Sequence, residues 1–143
     1  MLNKAIKIAV EAHKEQLDKN NQSYLGHIFR VMNMGKTIDE KICGILHDLV
    51  EDTNWTFEKL EKEGFSEEII SALKCLTKTN EEEPYDNFIN RVLSNKLAIS
   101  VKINDLTDNL DIKRFEQLKE TDLKRLNKYL KAYKKLTEFN NIV

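Results

Sequence analysis

The chain has 143 residues, 41% of them hydrophobic and 33% charged, and its 23 Lys and Arg nearly balance 24 Asp and Glu for a net charge of −1. That balance provides no global attraction to nucleic acid or to an anionic membrane, and no apolar run approaches the roughly 20 residues of a membrane span. With only four Gly and one Pro to enforce turns, the expectation is an all-α protein with one domain over residues 1–143 and one core.

The first stretch, residues 2–17, reads as a helix with Leu2, Ala5, Ile6, Ala9, His13 and Leu17 on one face. It is too charged for a secretory leader, so a cytoplasmic location is expected. The polar run "DKNNQS" follows as a loop, then a helix over 24–34 that Gly35 stops. Thr37 and Glu40 have capping-box spacing for a third helix, which is read as running through "GILHDLVEDT" at 44–53. Residues 53–64 read as a loop and a short helix ending at Gly64. Ser66 caps the next helix, which runs to about Leu76, with Phe65 placed to staple against Ile70.

After the acidic loop "KTNEEE", Pro84 suits the first turn of a helix over 84–94. The alternation of Leu97, Ile99, Val101 and Ile103 has strand propensity. As a helix, the same segment puts Lys102, Asp105 and Asn109 on one face. No second strand exists to pair with it, so helix is expected. The last helix, 122–139, sets Leu123, Leu126, Leu130, Tyr133 and Leu136 against a Lys-rich face. Solvation explains that basic face without a nucleic-acid partner. Cys43 and Cys75 lie in apolar helical contexts and read as reduced thiols, without zinc-ligand spacing.

The stretch at 44–53 carries the chemistry. His47, Asp48, Glu51 and Asp52 stand within six positions, among Ile45, Leu46, Leu49 and Val50. Desolvating three carboxylates together is costly unless a cation or water compensates. Two readings follow: a solvated helix end, or a metal site with an acid/base pair one turn away. The other candidates are His27, near the start of a helix, and Asp105, within "VKINDLTDNL". Taken singly, they read as a hydrogen-bonded core histidine and a cap or turn residue. Taken together, two imidazoles and two carboxylates form a mixed N/O set that suits one divalent ion such as Mn²⁺ or Fe²⁺ with open positions, rather than a closed zinc site.

The ordered set of His27, "HD" at 47–48, "EDT" at 51–53 and "VKINDLTDNL" over 101–110 resembles the HD-domain metal phosphohydrolases. Within them it is closest to the hydrolase domain of Rel/Spo-type alarmone enzymes and their small single-domain relatives. The stretch "HKEQLDKNNQSYLGHI" at 13–28 adds His13, Gln16, Lys19, Tyr24 and His27 in register.

The resemblance implies a helical HD-domain bundle and a metal-dependent hydrolase of a small nucleotide, most closely a 3′-pyrophosphohydrolase of ppGpp-type alarmones. It implies His27, His47, Asp48 and Asp105 as ligands of one divalent metal, Mn²⁺ in the first instance and Fe²⁺ as the alternative. It implies Glu51 and Asp52 as the pair that positions and deprotonates the attacking water. Lys19, Lys102 and Asn109 are implied near the nucleotide and its phosphates, and His13 is assigned a buried structural role.

The chain departs from the family pattern at Asp18, where an Arg is usual, at Ile28, at Asn104 and in the loop "NNQS", which lacks the usual Gly and Pro. These departures leave the metal ligands intact and fall on recognition of the base. If ppGpp is a poor substrate, Asp18→Arg is therefore expected to improve its hydrolysis. Two alternatives stand beside this reading: an HD-type nucleotidase or phosphatase acting on another nucleotide, and a non-catalytic antitoxin or interaction module.

Overall fold

The structure, a computed structural model, describes residues 1–142. It is all-α. The helices are α1 (Leu2–His13), α2 (Leu25–Met34), α3 (Ile38–Leu46), α4 (Leu49–Asp52), α5 (Phe57–Lys62), α6 (Glu67–Leu76), α7 (Tyr85–Val92), α8 (Lys96–Asn109) and α9 (Glu120–Ile142), with a 3₁₀ turn at Ile112–Arg114 before the last. Among the described residues there is no strand, and the one β-type pairing is a bridge between Leu17 and Ser23. No described helix is long and apolar enough to cross a membrane.

Short-range chemistry sets the helix starts. The Thr37 hydroxyl accepts from the Glu40 N–H at 3.1 Å, and the Glu40 carboxylate accepts from the Thr37 N–H at 2.9 Å. This is the expected capping box, and such a cap stabilises a helix by about 0.5–2 kcal/mol. Ser66 caps α6 by accepting from the Ile69 N–H. Asn95 does the same for α8, accepting from the Ala98 N–H at 2.9 Å.

That cap starts the segment whose alternation resembled a strand. α8 buries Ala98, Ile99, Val101 and Leu106 while packing against α2, α3, α6, α7 and α9. A helix enclosed on several sides is apolar on several sides, so its sequence loses the one-faced helical pattern.

α3 is the central helix. Ile42, Cys43, Gly44, Ile45 and Leu46 are all buried, and the helix packs on α1, α2, α6 and α8. Gly44 permits the close approach of α2, because a Cβ there would lie 3.0 Å from the Met32 Cα. One apolar cluster runs through the bundle, from Ala5 and Ala9 of α1 to Ala132 and Leu136 of α9.

Several boundaries differ from expectation. α9 runs Glu120–Ile142 rather than 122–139. The third helix does not run through the acidic stretch: α3 ends at Leu46, Asp48 takes a non-helical φ of −105° and ψ of 2°, and α4 begins at Leu49. The first helix ends at His13, because residues 14–23 form a tight hairpin that returns Tyr24 to donate its N–H to the Gln16 carbonyl at 2.9 Å. Pro84 stands at the N-cap of α7 rather than inside it.

Candidate metal centre and active site

His27, on the first turns of α2, points its Nε2 at the Nε2 of His47 across a gap of 3.3 Å. Two carboxylate oxygens meet them there. Asp48 Oδ2 is 3.0 Å from His47 Nε2 and 3.9 Å from His27 Nε2, and Asp105 Oδ1 is 3.0 Å from His27 Nε2 and 3.3 Å from His47 Nε2. The break between α3 and α4 makes this possible: it turns the Asp48 carboxylate toward His47, beside the ring rather than a helical step around the axis.

The far side of each ring fixes its proton. His47 Nδ1 lies 2.7 Å from the Gly44 carbonyl, which only accepts, so Nδ1 carries the hydrogen. His27 Nδ1 lies 2.7 Å from Asp108 Oδ2 and donates to it. With Nδ1 protonated, each neutral ring turns the lone pair of Nε2 toward the other ring and the two carboxylates. Four electron-rich atoms converging in a buried space need positive charge between them.

The titration directions agree. Burial alone would depress the His47 ring, yet the Asp48 and Asp105 charges lift it well above its ordinary value. Burial works against Asp105 too, but Lys102 and then His47 hold its carboxyl well below the usual range. His27, His47 and Asp48 fit a metal ion, with donor atoms all within 4.8 Å of one another, and Asp105 reaches both rings beside them.

Each carboxylate is oriented by neighbours. Asp105 Oδ2 accepts from Lys102 Nζ at 2.8 Å, and its Oδ1 accepts from Asn109 Nδ2 at 3.1 Å. The Lys102 ammonium is buried, 5.0 Å over the Phe88 ring. Asp48 accepts from the Tyr24 hydroxyl, whose pKa burial and the Asp48 charge push far up.

Glu51 and Asp52 lie on the short α4 at the mouth of the same cavity. Asp52 Oδ2 accepts from Gln16 Nε2 at 3.0 Å, and Gln16 Oε1 in turn contacts His13 Nδ1 at 2.8 Å. His13 is fully buried, as expected. Glu51 Oε1 accepts from the Lys78 N–H at 3.0 Å. Partial burial, reinforced by the Asp48 charge, raises both carboxyls above their ordinary values.

The cavity measures about 490 Å³, the size of a small-molecule site. Its inner end is acidic. Its outer, more exposed lining carries Lys19, Lys78, Arg125 and Lys128, and the Lys128 ammonium lies 4.6 Å over the Tyr85 ring and 5.5 Å over the Tyr129 ring. Arg125 is paired with Asp122 at 2.8 Å, whereas Lys19, Lys78 and Lys128 have no carboxylate partner among the described residues. Burial lowers the Lys128 pKa, and Lys78, Lys19, Lys102 and Arg125 lower it further by repulsion. Such mutually repelling cations favour a polyanionic ligand.

The structure thus brings His27, His47, Asp48, Asp105, Glu51, Asp52, Lys19, Lys102 and Asn109 to one cavity or its immediate wall. Lys102 and Asn109 spend their donors on Asp105. Asp18 has a structural task that the sequence does not reveal: its Oδ1 accepts from the Asn20 N–H at 2.8 Å and the Gln22 N–H at 2.9 Å, holding the hairpin that presents Lys19. Sequence reasoning missed Asp108, Arg30, Lys78, Arg125 and Lys128. The only signal for Asp108 was its place three residues after Asp105, which puts both on one helical face.

Fold and site together define an HD-type α-helical domain. No protein-family model matches the chain. It is 28% identical over 120 residues to the guanosine-3′,5′-bis(diphosphate) 3′-pyrophosphohydrolase of Aquifex aeolicus, covering 76% of this chain and 17% of that protein. It is 27% identical over 127 residues to a probable GTP pyrophosphokinase of Mycobacterium leprae, covering 80% of this chain and 16% of that protein. The chain therefore spans less than a fifth of the length of these curated relatives. A solved structure described as a metazoan ortholog of SpoT that hydrolyzes ppGpp superposes with a TM-score of 0.76, at 20% identity, over 96% of this chain and 92% of that one. In sequence the chain is similar to one part of these longer Rel/Spo-type enzymes, and its fold is that of the SpoT ortholog.

Proposed function

We propose that residues 1–143 act as one HD-domain unit, a metal-dependent hydrolase that removes pyrophosphate from the 3′ position of ppGpp or a related guanosine or adenosine alarmone. The observation that carries this reading is the convergence of His27, His47, Asp48 and Asp105 at the inner end of a cavity whose outer wall is cationic. The relatives' names include both a hydrolase and a pyrophosphokinase, so the site rather than the names supports hydrolysis. A non-catalytic interaction module would need none of this arrangement.

The four side chains would hold one divalent ion, Mn²⁺ in the first instance and Fe²⁺ as the alternative, chosen by the mixed N/O donor set. Such an ion supplies Lewis acidity toward a phosphoryl oxygen and lowers the pKa of water. The protein's own groups do the rest. Asp52 Oδ2 is committed to Gln16, so Oδ1 accepts the proton of the attacking water. Glu51, with Oε1 held by the Lys78 N–H, offers Oε2 to the same water. As the water oxygen bonds to phosphorus, the bond from phosphorus to the sugar 3′ oxygen breaks. Pyrophosphate is released, and the sugar oxygen takes up a proton from bulk water, to which Asp52 and Glu51 return the one they accepted. Lys19, Lys78 and Lys128 bind the remaining phosphates as point charges. Lys102 and Asn109 act through Asp105, holding its carboxylate toward the rings.

A second reading, hydrolysis of a different nucleotide, draws on Asp18, whose carboxylate is bound into the hairpin and so offers no cation to an alarmone. One assay separates the readings: incubate the purified chain and Mn²⁺ with ppGpp, pppGpp, ppApp, nucleoside triphosphates and deoxynucleotides, and identify the released phosphates. Pyrophosphate from the 3′-substituted nucleotides supports the first reading, phosphate from the others alone supports the second, and no release from any of them contradicts both.

A further inference from the structure

His27 has an anchor outside the metal cluster. Asp108 is buried, at 4% exposure, and its Oδ2 accepts from His27 Nδ1 at 2.7 Å. Arg30 grips the same carboxylate with a fork: Nε donates to Oδ1 at 2.7 Å and Nη2 to Oδ2 at 3.2 Å. Arg114 donates from Nη2 to the Asp108 main-chain carbonyl at 2.9 Å, and the same nitrogen is 3.5 Å from Oδ2. The Arg30 guanidinium packs close over Gly26: a Cβ at that position would lie 2.8 Å from its Nη1, so the far end of the arginine would have to shift. Residues on α2, α8 and the 3₁₀ turn thus combine to hold one ring nitrogen.

We propose that Asp108 is a positioning residue that sets the metal affinity of His27, and that Arg30 tempers it. The inference rests on the metal-site reading above. An anionic acceptor on Nδ1 locks the tautomer that leaves Nε2 free and makes that nitrogen a stronger donor. Arg30 neutralises part of the acceptor's charge, so the ring is less electron-rich than an unshielded Asp108 would make it. The two residues therefore act with opposite sign on a bound cation. Arg30 is 41% exposed on its side chain, so truncating it leaves the guanidinium site to water rather than to a buried void.

The test is Mn²⁺ affinity of the purified full chain, measured by electron paramagnetic resonance titration, with a thermal melt for each variant. Asp108→Asn keeps an acceptor for Nδ1 but removes the charge, and is expected to weaken Mn²⁺ binding about 10–100-fold. Arg30→Gln, which removes a cation near the bound ion, is expected to tighten it. General damage to the fold cannot produce opposite signs from two members of one ion pair. Mn²⁺ binding by Asp108→Asn within twofold of wild type overturns the proposal, as does weaker binding by both Asp108→Asn and Arg30→Gln. His27→Ala separates the two layers of inference: wild-type binding by that variant removes the metal site itself, whereas loss of binding leaves the site in place and the role of Asp108 to be decided by the other variants.

Discussion

At the inner end of the cavity, His27, His47, Asp48 and Asp105 are each fixed by a second side chain or a carbonyl, through Asp108, Gly44, Tyr24 and Lys102 respectively. Along the outer wall, Lys19, Lys78 and Lys128 face the same space without a carboxylate partner among the described residues. The inner end is built on helices and the break between two of them. The outer wall draws on a hairpin, a loop and the exposed side of α9. Preorganised groups can serve chemistry, because they do not reorganise as charge develops. Cations without a carboxylate partner serve capture, because their charge is not neutralised before a ligand arrives, although the Lys128 ammonium rests 4.6 Å over the Tyr85 ring.

The comparison predicts the largest losses at the inner end. His47→Ala and Asp48→Ala should each lose the bound metal and with it turnover, while the helical core keeps the fold; metal analysis and circular dichroism of the purified variants check both. Full metal occupancy in either variant would remove that residue from the site.

Glu51→Gln combined with Asp52→Asn should retain the metal and lose turnover by on the order of 10²–10⁴-fold, because amides keep the shape but cannot take the proton. Unchanged kcat in the double variant would mean that water needs no help from this pair. Their pH behaviour sharpens the point. Burial and the Asp48 charge hold the Asp52 carboxyl above its ordinary 3.8. Only the ionised form accepts a proton, so kcat should fall as pH drops through the raised value. The Gln16 hydrogen bond opposes that rise, so Gln16→Ala should move the acid limb to higher pH in a kcat–pH profile.

The outer wall should respond differently. Lys128→Ala should raise KM about tenfold, the loss of one charge-assisted contact, with kcat little changed in steady-state kinetics. A fall in kcat with KM unchanged would place Lys128 with the chemistry instead.

The smallest effect belongs to Asp18→Arg. Because the Asp18 carboxylate holds two hairpin N–H groups, the variant should lose about 0.5–2 kcal/mol of stability, as on loss of a helix cap, read from a denaturant midpoint. The hairpin presents Lys19, so the gain in ppGpp hydrolysis expected from sequence is offset by a disturbed loop. Improved kcat/KM with undiminished stability would restore the simpler view of position 18.

What could be read from the sequence follows the same division. The capping box at Thr37 and Glu40 was legible because its chemistry lies within four residues. The helical nature of 97–103 was legible only by elimination, since burial on several sides had erased its one-faced pattern. The break at His47–Asp48 was hidden: the apolar spacing continues across it, and the turn follows from tertiary packing and the convergence of ligands rather than from Gly or Pro. The candidate ligands could be picked out by residue type and by resemblance. The pairing of Asp108 with Arg30 could not, because it spans 78 residues; the i,i+3 spacing of Asp108 from Asp105 marks only a shared helical face. Lys78 and Lys128 were two lysines among many until the fold turned them toward one cavity.

The central claim is that one divalent ion sits between His27, His47, Asp48 and Asp105, beside Glu51 and Asp52. Its most direct test is an anomalous-difference map from crystals of this chain grown with Mn²⁺, collected at the manganese absorption edge. The account predicts a single strong peak within coordination distance of His27 Nε2, His47 Nε2, Asp48 Oδ2 and Asp105 Oδ1. A map with no peak at that position, or with its only peak elsewhere in the bundle, would contradict it.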